Sequence, residues 1–471
     1  MKKYLFLFFT LWCVSCSKKT EPTPPPPPGS FYVSSVKVNE QSADRGNNFF
    51  KVNLNPIIKI SFTAPVDHAS VTNNLSLVKT PGGTTAFNIS YANNDSAIVI
   101  QSASALQSLS KYTITFTTGV QSNQMVALST NNSTNLITVI DSTDKFPRIS
   151  DEALLDLIQK QTFKYFWDFG HPVSGMARER NTSGDVVTTG GTGFGIMSIL
   201  VGINRNFISR ADGLQRINTI VNFLKNNCTK YHGAFAHWIN GATGATIPFS
   251  LKDNGADLVE TSFLMVGLLC ARQYFNIADP NEVALRTNIN TLWNGIEWSW
   301  FRQGGQNVLY WHWSPDYNFD MNVQIKGWNE SLIVYALAAS SNTDSIPGIV
   351  YDNGWASNGG MKNGATFYGI QLPLGAALGG PLFFSHYSFM GINPHDLTDR
   401  YANYFAQNIA HSLINYNYCV ANPQHFNGYS SGIWGLTASD DNLSFYTAHS
   451  PTNDDGVISP TAAISSLPYT T

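Results

Sequence analysis

The sequence predicts a multidomain chain in which an N-terminal all-β sandwich precedes a larger all-α domain. Three observations carry this. Residues 31–142 alternate apolar and polar side chains with a period of two. From Ser150 onward the apolar residues recur at helical spacing. Ahead of both lies a proline-rich stretch that has no apolar surface to bury.

At the N-terminus Lys2 and Lys3 precede an apolar run over residues 4–14, and small residues lead into a cysteine, the pattern of a secretory signal. The run Cys13-Val14-Ser15-Cys16 resembles the lipobox of bacterial lipoproteins. That resemblance implies a signal peptide over 1–15, a lipid on Cys16 and a membrane partner through that anchor. Ser17 stands where an aspartate would imply inner-membrane retention, so the expected location is the cell envelope at the outer membrane, on its periplasmic or surface face. Residues 16–30 form a Lys-, Thr- and Pro-rich linker, an extended spacer by composition. No later stretch approaches the length of about 20 apolar residues that spanning requires.

In the sandwich region Ile58, Ile60 and Phe62 alternate with polar residues, as do Phe87, Ile89 and Tyr91, and Tyr112, Ile114 and Phe116. Pro81-Gly82-Gly83 and Asn93-Asn94-Asp95 supply turns between the runs. The stretches over 58–67, 96–100 and 112–116 are similar to bacterial Ig-like domains. The resemblance implies a spacer module over 31–142, with direct glycan binding as the alternative.

Helical patterning starts where Ser150 can cap a segment carrying Asp151 and Glu152 in its first turn and Leu154, Ile158, Tyr165, Phe166 and Phe169 on one face. Ser209 and Asp212 open another, with the stripe Leu214, Ile217, Val221 and Leu224. Further helices are expected over 192–203, 256–275, 280–301, 328–340 and 397–419. Long Gly-, Asn- and Trp-rich loops separate them and suggest a loop-lined mouth.

A net charge of −3 with only 13% charged residues argues against nucleic acid and against a polyanionic substrate. Aromatic residues also reach 13%, and their flat apolar faces match neutral sugar rings. Cys228, Cys270 and Cys419 sit in helix-like segments and read as buried thiols.

The most informative constellation is Asp253, Asp257 and Glu260, whose spacings of four, three and seven put three carboxylates on one face of a single helix. That helix continues as an apolar run to Cys270, so the acids must face water or an enclosed polar cavity. Glu330, in Gly327-Trp-Asn-Glu330, is a second acid at a helix entrance, beside Trp328. Two inward acids on separate elements suit glycoside hydrolysis, in which one protonated carboxyl donates to the leaving oxygen and another group activates water. Dipole compensation and capping are the structural alternatives for each acid. Arg178 and Arg180 stand in a polar segment ahead of Gly190-Gly-Thr-Gly-Phe-Gly195 and suit orientation of acids or sugar hydroxyls. That glycine run lacks the Lys-Ser/Thr of a phosphate loop and reads as a tight entry to a helix. Ten histidines show no metal-ligand spacing, and no Ser or Cys nucleophile elbow is present, so neither metal nor cofactor is expected.

Residues 146–471 resemble the glycoamylase-like domain family, which includes bacterial endo-β-1,2-glucanases. The likeness rests on Gly191-Thr-Gly-Phe-Gly-Ile196, Ile208-Ser-Arg210, Gly233-Ala-Phe-Ala-His-Trp238, Asp257-Leu-Val-Glu-Thr-Ser262, Gly327-Trp-Asn-Glu330, Leu382-Phe-Phe-Ser-His-Tyr387, Trp434-Gly-Leu-Thr-Ala-Ser-Asp440 and Asp455-Gly-Val-Ile-Ser-Pro-Thr-Ala462. It implies an (α/α)6 toroid and metal-free, inverting cleavage of β-1,2-glucan to sophorose-type oligosaccharides by a monomer. It also implies Glu330 as general acid, with Asp253, Asp257 and Glu260 in the catalytic pocket. Arg178, Arg180, His237, Trp328, His386, Tyr387, Trp434 and Asp455 are the expected contacts to a neutral glucan or glucooligosaccharide. Relatives continue past the segment matching residues 465–469, so the toroid is expected to be incomplete at its C-terminus, and the missing segment is one place for the water-activating acid of relatives. A glycan-binding lipoprotein without chemistry, and a hydrolase of another neutral glucan, are the competing readings; a polysaccharide lyase is disfavoured by the sparse cations.

Overall fold

The computed structural model describes residues 29–441 and 445–470. The signal, Cys16 and most of the proline-rich linker lie outside the described residues. The chain divides into two compact units, residues 1–143 and 144–471.

In the first unit β1 (Val33–Val38), β3 (Ile57–Phe62), β6 (Ala97–Ser102) and β5 (Phe87–Ala92) form one four-stranded sheet in that order. A second sheet runs β2 (Asn48–Val52), β8 (Asn132–Thr138), β7 (Lys111–Phe116) and β4 (Leu75–Thr80). Every pairing is antiparallel except β2 with β8. Ile58, Ile60 and Phe62 of β3 join Tyr112, Ile114 and Phe116 of β7 in one core with Leu77, Ile98, Ile100 and Leu136. The period-two pattern places these side chains on the inner faces. Phe87, Ile89 and Tyr91 alternate equally well yet are only partly buried, because β5 is an edge strand. A single turn of helix, α1 (His68–Val71), is capped by Asp67.

The second unit is mainly helical: α2 (Asp151–Trp167), α3 (Thr189–Asn204), α4 (Arg210–Asn226), α5 (Leu258–Tyr274), α6 (Pro280–Asn294), α7 (Leu332–Ser340), α8 (Gly348–Val350), α9 (Tyr404–Ala421) and α10 (Pro460–Ser465). Short ladders brace the loops. A three-stranded one joins β9 (Val186–Thr188), β10 (Trp238–Asn240) and β11 (Thr246–Ile247). Two-stranded ladders pair β12 (Ala256–Asp257) with β14 (His312–Trp313) and β13 (Leu309–Tyr310) with β15 (Gln324–Ile325). Two more pair β16 (Thr366–Phe367) with β17 (Ile370–Gln371) and β18 (Ala438–Asp440) with β19 (Tyr446–Ala448).

The predicted caps are present, Ser150 accepting from the Ala153 N–H and Ser209 from that of Asp212. The helix expected over 280–301 breaks after Asn294, where the N–H of Gly295 turns back to the Leu292 and Trp293 carbonyls before a 3₁₀ turn over Trp298–Arg302. The one expected over 397–419 begins only at Tyr404, capped by Asn403. The stripe of α4 is buried at Ile217, Val221 and Leu224. That of α2 is not: Phe163 is its one buried residue, and Leu154, Leu155 and Leu157 are exposed.

The glycine run predicted as a tight loop is itself the first turns of α3, and its role is close packing on α5. A methyl group at Gly193 would sit 2.0 Å from the Phe263 carbonyl oxygen, and one at Gly267 would sit 2.2 Å from that of Gly193. Only hydrogen fits between the two backbones.

Candidate active site

The acids converge by a route other than the one the spacing suggested. Asp253, Asp257 and Glu260 do not share one helix. Asp253 lies in the loop before α5, Asp257 is the N-cap, and only Glu260 is helical. Asp257 accepts from the Glu260 N–H at 2.9 Å through Oδ1, which turns its other oxygen toward the histidines. β12 fixes that cap: the Asp257 N–H donates to the Phe235 carbonyl, the Leu258 N–H to that of Trp311, and His312 stands opposite Asp257 in the ladder. A turn in which the Phe249 and Asp253 backbones bond, at 2.9 Å, holds Asp253 in the same place.

Two imidazoles face these carboxylates. His237 Nδ1 lies 3.2 Å from Asp257 Oδ2, and His312 Nε2 lies 3.5 Å from Asp253 Oδ2 and 3.8 Å from Asp257 Oδ2. Burial alone would raise the Asp257 carboxyl, but the His237 hydrogen bond, the two imidazole charges and the Glu260 N–H outweigh it and hold it down. Asp253 is shifted up, first by burial and then by the charge of Asp257. Glu260 is also shifted up by burial, against the His237 charge and a 2.8 Å hydrogen bond from the Gly190 N–H at the start of α3. A methyl group at Gly190 would meet Glu260 Oε2 at 2.5 Å and push that carboxylate from its place.

Glu330 occupies the turn just before α7, and the cap position Ser331 makes no side-chain cap bond. Its own backbone carbonyl accepts from the Ser388 hydroxyl, which pins the turn. Burial pushes the Glu330 carboxyl up to about 7, and the charges of Glu260 and Asp257 add to the shift. Tyr387 joins the same group: its ring meets Phe194 at 5.0 Å and Phe263 at 5.6 Å, and burial with the charges of Tyr446, Glu260 and Glu330 raises its hydroxyl.

The remaining expected contacts are spread more widely. Trp328 is core, stacked on Tyr404 and Phe389. His386 is buried, bonded to the Ser466 hydroxyl at 3.2 Å and held neutral, its pKa lowered to about 3 by burial and by His411. Trp434 packs on Tyr416 beside the small cluster of Tyr418, Cys419, Tyr429 and Leu436. Asp455 faces His449 at 2.9 Å. Arg180 is spent on Glu179 and Asp440, while Arg178 lies over the Phe169 ring with a buried Nε that lacks a partner. Asp257, placed among the catalytic acids by sequence, is wholly buried and is held by the Glu260 N–H and His237.

Sequence reasoning missed His312, Phe249 and Tyr446. Phe249 is half-exposed and lies 4.4 Å from the His237 ring. The Tyr446 hydroxyl, on β19, is raised by desolvation and then by the charges of Glu330 and Glu260. The dipeptide His312-Trp313 in a Trp-rich loop was the available signal for His312; nothing local marked the others. Donor atoms of His237, Asp253 and Asp257 also lie within 4.8 Å of one another, near enough to share a cation, a grouping that linear spacing hides. His237 already brings a positive charge there, since its acidic neighbours raise its pKa to about 9 against the opposing effect of burial.

The glycoamylase family model, described as "Putative glucoamylase", matches residues 322–471, and a bacterial Ig-like domain model matches residues 38–138. The chain is 45% identical over 344 residues to an exo β-1,2-glucooligosaccharide sophorohydrolase (non-reducing end) of Parabacteroides distasonis, covering 68% of this chain and 47% of that protein. It therefore spans about half the length of the curated relative it matches. An endo-β-1,2-glucanase from Chitinophaga pinensis, solved with sophorotriose and glucose, is 50% identical with a TM-score of 0.66, covering 68% of this chain and 80% of that one. A β-1,2-glucanase from Parabacteroides distasonis is 34% identical with a TM-score of 0.66, covering 93% and 62%. With half of the aligned residues identical across four-fifths of a solved relative, the chain belongs to the glycoamylase family and carries a bacterial Ig-like domain ahead of the helical one.

Proposed function

We propose that this chain is a glycoside hydrolase that cleaves β-1,2-glucan to sophorose-type oligosaccharides by an inverting, two-carboxylate mechanism. The observation that carries the reading is Glu330, a carboxyl pushed up to about 7 and facing the charges of Glu260 and Asp257. A general acid must hold its proton near neutral pH until the leaving oxygen takes it. Glu260 is the partner carboxylate: of the three clustered acids it is the most accessible, and although burial shifts its carboxyl up, the His237 charge and the Gly190 N–H oppose that shift. It draws the proton from the attacking water while Glu330 protonates the departing sugar oxygen, so one proton enters and one leaves. Asp253 and Asp257 shape the field around that pair. The linkage is supported by the β-1,2-glucan relatives.

The same reading takes the helices as part of an (α/α)6 toroid, supported by the TM-score of 0.66 to the solved β-1,2-glucanases. It takes the protein to be a monomer anchored in the cell envelope through a lipid on Cys16, supported by the run that ends at that residue. Incubation with β-1,2-, β-1,3- and α-1,4-glucans, with product anomers followed by NMR, tests the activity. Release of α-anomeric ends from β-1,2-glucan alone is expected; binding without product would leave a glycan-binding protein. Loss of metabolic lipid labelling in Cys16→Ala tests the anchor.

A further inference from the structure

We infer that His237 is a positioning residue, an imidazolium clamped on Asp257 that keeps this carboxylate ionised and works against the burial of Glu260, so that Glu260 can take a proton from water. This rests on the hydrolase reading above. Asp257 is fully buried, and an ionised carboxylate in such a place requires a partner. His237 Nδ1 supplies it at 3.2 Å, on the oxygen that the α5 cap leaves free. The groups facing this imidazole are Asp257 and Glu260 from α5, Asp253 from the preceding loop, and, across Asp257, His312 from β14. Three carboxylates thus surround it.

Two aromatic rings also flank the imidazole. Phe249 lies over it at 4.4 Å and 32°, and Trp238 meets it edge-on at 6.0 Å. An aromatic face suits a cation better than a neutral ring. The backbone is held as well, since the Thr189 N–H donates to the His237 carbonyl at 3.1 Å. The surrounding acids raise the imidazole to about 9, so the proton stays in place across neutral pH. Because Asp257 also caps the helix that carries Glu260, one contact ties the charge of the pocket to the position of its base.

Two measurements test this. In the unmodified protein, the His237 Cε1 proton followed by NMR should titrate well above the ordinary imidazole value of about 6.5; a midpoint at or below that value overturns the proposal, whatever the activity. In His237→Asn, which keeps a donor toward Asp257 but removes the charge, the acidic limb of the kcat/KM profile should move up by about one pH unit. The alkaline limb and the KM on the plateau should stay in place. A uniform loss of rate with both limbs unmoved would make His237 merely structural and overturn the proposal. Absence of turnover by the parent protein on every glucan would instead refute the hydrolase reading and leave the NMR result to decide the clamp.

Discussion

At Glu330 the proposed chemistry turns on a single proton. Burial and the negative charges of Glu260 and Asp257 disfavour the ionised form, so the proton is retained up to about pH 7. Because the raised group acts while protonated, kcat should fall as pH rises through about 7, which a pH-rate profile on β-1,2-glucan measures. Glu330→Gln keeps the shape but removes the donor and should lower kcat by roughly 10²- to 10⁴-fold with little change in binding. An unchanged kcat would show that Glu330 only shapes its turn. Glu330 was legible in sequence as an acid followed by a wholly apolar run. His312 was not, because a ladder between segments far apart in the chain brings it to Asp257.

Among the elements, the contact between α3 and α5 positions the pocket, because it joins the Gly190 N–H to Glu260. Gly193→Ala would drive a methyl group to 2.0 Å from the Phe263 carbonyl oxygen, a backbone atom with no side-chain freedom to yield. Overpacking of this kind costs about 1–3 kcal/mol or more. A Tm lower by several degrees, with reduced kcat from the displaced Glu260, is expected in thermal unfolding and turnover assays. Gly348→Ala, at the start of α8 with no atom near the added methyl group, should leave Tm within about a degree or raise it slightly. The sequence announced the glycine cluster but not its purpose, since close approach of two helices leaves no periodic mark. The unburied stripe of α2 has the same lesson: Leu154 and Ile158 satisfied the helical period, yet what covers a face is decided by other elements.

For the whole molecule, the two compact units divide at Thr143. Deleting residues 29–143 should leave kcat/KM on short soluble oligosaccharides within a few-fold, since every candidate catalytic group lies in the second unit. A large loss would refute the spacer role of the Ig-like domain. Treatment with EDTA should not change turnover, because the imidazolium of His237 supplies the positive charge among Asp253 and Asp257; abolition by EDTA and rescue by one divalent metal would place a cation there. By itself the sequence determined the division into a β and an α part, most helices and their caps, and the identity of the acids, because periodicity and capping are local properties of the chain. Only the tertiary structure decided how each acid is surrounded. Asp253, Asp257 and Glu260 are neighbours in sequence, yet a loop, a cap and a helix turn give them different burial and different partners, and Glu330 acquires its raised pKa only when α7 is packed against them. Desolvation and charge act through space, so proton affinity is a property of the folded pocket and not of the sequence motif.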